Sequence, residues 1–155
     1  MPHVREQIRD AAITALTGLT TTSTRVYRER LYQLRAADLP GLRVYCGAES
    51  AEPDRLGASH GLQRDMALIV EGAARATSDL DETLDDICAE VEAALCADIT
   101  LGGKCKFLHL TGIDDPEQSD DADVPTGLVR LNFRVQYRTL NTTPTATTTA
   151  PTTTA

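Results

Sequence analysis

At 155 residues and 41% hydrophobic content, the chain can fill one modest core, and no run approaches the ~20 apolar residues needed to cross a bilayer, which excludes a second independent domain and a spanning helix. The formal charge of −8 opposes ordinary DNA binding, though not a channel through which DNA slides, and 4% aromatic content without Trp removes stacking platforms for bases or sugars. Cys46, Cys88, Cys96 and Cys105, with no apolar leader in MPHVREQIRD, read as reduced thiols of a protein made in a cytoplasm.

Val4, Ile8, Ala11, Ala12, Ala15, Leu16 and Leu19 recur at spacings of three and four, which predicts an amphipathic helix ending near Leu19. Arg25-Val-Tyr-Arg28 predicts a short strand, and Arg30 to Ala37 fits strand, helical turn or bend equally. Leu42-Arg-Val-Tyr-Cys46 alternates as a strand after the Leu39-Pro-Gly break. Gly47 to Gly61 is polar and rich in small residues, so a loop is expected.

Leu62, Met66, Leu68 and Val70 share one face at period two, a half-buried strand whose alternation Arg64 and Ile69 interrupt. Leu80, Leu84, Ile87, Cys88, Val91, Ala94 and Leu95 form the stripe of a second helix, with Asp79 and Glu82 placed as a capping box. Lys104 to Thr111 is a further strand, and the run from Asp114 to Asp123 is an exposed acidic loop. From Leu128 to Arg138, Val129, Leu131, Phe133, Val135 and Tyr137 alternate with Arg130, Asn132, Arg134, Gln136 and Arg138. After Asn141 only Thr, Pro and Ala remain, too little apolar surface to offset ordering entropy of about 1–2 kcal/mol per residue.

This order predicts an α+β fold, two helices packed on one face of a mainly antiparallel four- to five-stranded sheet. One domain covers 1–139, and 140–155 is a flexible Thr/Pro/Ala-rich C-terminal tail.

No set of residues converges on chemistry. Cys105 and His109 lack further ligands for tetrahedral zinc, and Cys46 with His60 lacks an orienting partner and an oxyanion motif. Gly102-Gly103-Lys104 is followed by cysteine and a strand where a phosphate loop needs Ser or Thr and a helix. The acidic run lacks the alternation and central glycine of a calcium loop. The expectation is no catalytic residue, no cofactor and no metal. Arg130, Arg134 and Arg138, three cations on the polar face of one strand, fit an interaction surface or a solvated sheet face equally, and are the best candidate for the former.

Several stretches together resemble the tail terminator family of siphophages and gene transfer agents, the lambda minor tail protein U type. They are Leu39-Pro-Gly-Leu-Arg-Val-Tyr45 with Gly47-Ala-Glu49, the strand Arg64 to Val70, the acidic helix Leu80 to Leu95, Leu110-Thr-Gly112, and Val129 to Arg138. The resemblance implies a structural virion protein of the tail or neck, assembled in the host cytoplasm, and not an enzyme. It implies a hexameric ring that caps the tail tube protein, stops polymerisation and meets head completion or connector proteins, with DNA passing through the lumen unbound and no membrane partner. In such a ring Asp120, Asp121 and Asp123 are expected near Arg130, Arg134 or Arg138 of a neighbour, or near an adjoining ring. Two rivals are another ring protein, a tail tube or head completion subunit, and a small cytoplasmic thiol enzyme using Cys46 or Cys105.

Overall fold

The structure is a computed structural model in which residues 1–28, 31, 33–119 and 124–149 are described. Helix α1, Val4–Leu16, buries Val4, Ile8, Ala12 and Leu16, and begins where His3 Nδ1 accepts the Arg5 N–H at 3.0 Å. It stops at Leu16, earlier than its apolar spacing suggests, because Gly18 takes a φ of +92° and turns the chain. The backbone N–H and hydroxyl of Thr21 then both donate to Glu90 at 3.1 Å, fixing this exit against the second helix.

Strand β1, Val26–Tyr27, runs parallel to β2, Gly41–Pro53. Parallel neighbours require a crossover, whose described part includes a 3-10 turn at Ala36–Asp38. The crossover closes over one end of the sheet, where Leu34 packs with Ala73 and Leu128 in a small second core. Of the segment from Arg30 to Ala37, which fitted three local structures equally, Ala36 and Ala37 open the 3-10 turn, and Arg30 and Tyr32 lie outside the described residues.

β2 does not end at Cys46. It continues through the expected loop to Pro53, antiparallel to β3, Gly61–Arg75, with a register shift between Cys46 and Glu49. That bulge reverses which side chains of β2 face inward. Before it Leu42 and Val44 are buried in the main core; after it Glu49, opposite Met66, takes the inward position.

Helix α2, Leu80–Cys96, buries Leu84, Ile87, Cys88, Val91 and Leu95. The expected capping box does not form: Asp79 makes no side-chain cap bond and instead accepts the Thr77 hydroxyl at 2.6 Å. The remaining strands are β4, Phe107–Ile113; β5, Glu117–Ser119; β6, Thr126–Leu140; and β7, Thr143–Thr147. β7 lies where a flexible tail is expected, pairing Thr143 with Leu140 and Thr147 with Thr139.

All seven strands join one sheet in the order β1-β2-β3-β6-β4, with β5 and β7 also paired to β6. This corrects the expected four- to five-stranded antiparallel sheet: the sheet is larger, and it is mixed because β1 is parallel. The short strands β5 and β7 lack the apolar alternation that reveals β3 and β6, so they escape a reading by period, whereas β1 lies within the short strand expected from Arg25 to Arg28.

Both helices contribute to one core with Met66, Leu68 and Val70 of β3 and Val129, Leu131, Phe133, Val135 and Tyr137 of β6. Each large side chain removed from water there contributes about 1.5–3 kcal/mol. α2 presses so close that a Cβ on Gly72 would lie 2.6 Å from Ile87 Cγ2, and one on Gly127 2.6 Å from Leu80 Cδ2.

The two lateral edges of the sheet remain open. β3 pairs with β6 from end to end, leaving β5, β4 and β7 in succession on the far side of β6. On the other side, β1 covers β2 only at Leu42 and Arg43. Among the described residues no strand covers the outer edge of β4, or that of β2 beyond Arg43.

Candidate assembly interface

The face of the sheet away from the helices carries a ladder of ion pairs. Arg43, Glu71 and Arg130 are register partners on β2, β3 and β6, so they form one row across three strands. Arg43 Nη2 donates to Glu71 Oε1 at 2.7 Å, the Tyr45 hydroxyl to Oε2 at 2.7 Å, and Arg130 Nη2 to Oε2 at 3.4 Å. Arg130 also approaches Asp114 at 3.5 Å and Glu117 at 3.9 Å. Burial first, then the bond to Glu71, raises the Tyr45 hydroxyl above its ordinary pKa, so it stays a donor.

Further along β6, Arg134 Nε donates to Asp65 Oδ1 at 2.9 Å, and this hydrogen bond holds the Asp65 carboxyl below its ordinary value against the opposing effect of burial. Arg138 donates to Asp54 in the β2–β3 connection, and Arg138 Nη1 donates to the Thr149 carbonyl at 2.6 Å. Asp54 is likewise lowered, mainly by Arg138. The three arginines therefore share one face, and each already has a carboxylate partner within the chain. Only Arg134 has half of its side chain exposed, against 37% for Arg130 and 10% for Arg138. Asp120, Asp121 and Asp123 lie outside the described residues.

A second polar network, missed in the sequence, sits on the helix-covered face. Arg64 Nη1 donates to Glu49 Oε2 at 3.0 Å and Arg64 Nε to the Thr139 hydroxyl at 2.9 Å, with the guanidinium 5.9 Å from the Tyr137 ring centroid. The Tyr137 hydroxyl donates to Glu49 Oε1, and burial, then this bond, pushes its pKa upward. Arg5 of α1 closes the set, donating to the Gly47 carbonyl at 3.0 Å and lying 3.8 Å from Glu49. The one available signal was Arg64 interrupting an apolar face.

Cys46, Cys88 and Cys105 are poorly placed for nucleophilic chemistry. Burial pushes Cys105 up to about 12 and Cys88 up to about 11, and raises Cys46, so the thiolate is scarce at neutral pH. Cys105 Sγ donates to the Ile99 carbonyl, while Phe107 and His109 stack on each other at 5.8 Å. His60 Nδ1 lies 2.9 Å from the Gly57 carbonyl in the hairpin connection. Among the described residues no cluster of three His, Cys, Asp or Glu could hold a metal ion, and no helix is long and apolar enough to cross a membrane.

No family model matches the chain, and no curated protein does. A chain in a solved structure described as the virion of a native gene transfer agent particle is similar at 18% identity, covering 88% of this chain and 92% of that one, with a TM-score of 0.35.

Proposed function

We propose that this chain is a structural subunit of a long-tailed phage or phage-like particle and acts as the tail terminator. In this reading it forms a ring on the last ring of tube protein, halts polymerisation, and offers its other side to head completion proteins. The observation that carries the reading is an open sheet whose two lateral edges differ, β2 with α1 on one side and β4 with β5 on the other. Unlike edges suit a heterologous, head-to-tail contact, and such contacts form rings when the rotation from copy to copy closes. The stretches that resemble the terminator family support it, since they fall on β2, β3, α2, β4 and β6, the framework of the domain.

No chemistry is assigned in this role. The mechanism is shape competition, in which one side of the ring matches the growing tube and the other fails to repeat it. Asp120, Asp121 and Asp123 are proposed to lie near Arg130, Arg134 or Arg138 of a neighbouring copy, or near an adjoining ring.

The reading is tested by imaging the purified protein for rings and by removing the protein from the particle that encodes it. The expected defect is tails of uncontrolled length that fail to join heads. Uniform, head-joined tails without the protein would overturn the assignment.

A further inference from the structure

A cleft of about 560 Å³ opens at the β2 edge, lined by His3, Arg5, Arg9, Arg28, Leu31 and Tyr45 among others. It lies where β1 has ended and β2 has no outer strand. Glu6 also lines it and Asp10 lies nearby, 3.0 Å from Arg28 and 3.9 Å from Arg9. Among the described residues three guanidinium groups thus outnumber the neighbouring exposed carboxylates, and the buried Nε of Arg9 has no hydrogen-bond partner. Leu31 stands at the rim with 92% of its surface exposed.

The opposite edge has the complementary pattern. β4 ends at Ile113, which is 43% exposed, and the chain continues through Asp114 and Asp115 to Glu117 at the start of β5. Arg130 is shared between Asp114 and Glu117, whose side chains remain 51% and 61% exposed. One edge therefore presents an exposed leucine among arginines, and the other an exposed isoleucine among carboxylates.

Resting on the ring reading above, we propose that the cleft of Arg5, Arg9 and Arg28 is the receptor half of the contact between neighbouring copies, and that its occupant is the Ile113–Glu117 edge of a second copy. The two patches lie on opposite lateral edges of one sheet, so every copy gives one and receives one, as a closed ring requires. Carboxylates entering the cleft meet guanidinium groups whose flat donor sets match them, while Ile113 and Leu31 exclude water from the junction.

Two variants test this, an acidic cleft (Arg9→Glu with Arg28→Glu) and a basic edge (Asp115→Arg with Glu117→Arg). Each is checked for folding by circular dichroism and for assembly by sedimentation against the wild type. Alone, each places like charges at every junction, and the concentration needed for assembly should rise by about tenfold or more. Mixed in equal amounts they should assemble again, because copies alternating around a ring of even number restore opposite charges at every junction. Arg28→Glu alone, at a side chain 54% exposed, serves if the double cleft variant fails to fold. A wild type that assembles together with variants that assemble equally well would overturn this contact and leave the ring reading standing. Folded variants that lose assembly but are not rescued by mixing would also overturn it. A wild type that stays monomeric at every concentration reached would overturn the ring reading, and this contact with it.

Discussion

Arg43 and Glu71 stand opposite each other across β2 and β3, joined at 2.7 Å with side chains only 9% and 6% exposed. A buried pair of this kind contributes little when compared with apolar residues, yet removing one partner leaves an uncompensated charge. Glu71→Ala should cost roughly 3–5 kcal/mol on that ground, and Glu71→Gln less, since its amide oxygen still accepts from Arg43 or Tyr45. Urea midpoints of the two variants check this, and equal midpoints for Glu71→Ala and wild type would show that the row across the sheet is not buried.

Gly72→Ala is expected to destabilise by about 1–3 kcal/mol through overpacking, because its methyl would enter the space of Ile87 Cγ2 at 2.6 Å. Adding Ile87→Val to the same chain should recover part of the loss, which thermal melts of both variants would reveal.

Deleting 142–155 should lower stability by about 1–3 kcal/mol, since mostly exposed hydrogen bonds contribute near 1 kcal/mol each. Those lost include β7 pairing, Gln7 Nε2 to the Thr145 carbonyl at 2.7 Å and the Thr148 N–H to the Arg138 carbonyl at 2.8 Å. The domain should still unfold cooperatively, as no member of the main core is removed. An unchanged melting temperature would show that the strand adds nothing.

Asp65 and Asp54 are both lowered below their ordinary pKa, mainly by Arg134 and Arg138. A lowered carboxyl stabilises the fold fully above its unfolded value, near 3.9, and loses that contribution as pH falls through the lower folded value. Stability measured in urea should therefore decline below about pH 4 to 5. Asp65→Asn should show a shallower decline; a parallel one would place the acid sensitivity elsewhere.

Cys96 is the exposed cysteine, and a neutral-pH thiol reagent should label it first in the native protein. Cys88 and Cys105, held near 11 and 12 by burial, should label only on unfolding. Mass spectrometry of the modified peptides would decide this, and rapid native labelling of Cys105 would contradict its burial.

The strongly periodic elements were legible in the sequence. Met66, Leu68 and Val70, the stripe of Leu84, Ile87, Val91 and Leu95, and the alternation from Val129 to Tyr137 are buried together in the main core. What escaped depends on partners remote in the chain. Val26–Tyr27 was legible as a short strand, but not its parallel pairing with β2 across a crossover, and the polar stretch of β2 from Glu49 to Pro53 is a strand because β3 pairs with it. β7 has β-branched residues but no apolar alternation to betray it.

The ionic surface divides the same way. That Arg130, Arg134 and Arg138 share a face follows from period two alone, but their partners Glu71, Asp65 and Asp54 are brought from the β2–β3 hairpin. Their exposures differ with these partners: Arg138 also donates to the Thr149 carbonyl, while among the described residues Arg134 has Asp65 alone in its ion pairs, and no local spacing encodes either.

The bulge between Cys46 and Glu49 makes this stretch sensitive to residue count. If one residue were lost at Gly47 or Ala48, the one left would stand opposite Ala67, and Cys46 and Glu49 would keep their partners Leu68 and Met66. The bulge would vanish with Val44 and Glu49 still facing inward, because the residue lost is the extra one. One residue added there without widening the bulge would instead slip the pairing and turn Glu49 and the strand beyond it to the opposite face. Across variants of this protein, this stretch should accept the loss of a residue more readily than the gain of one.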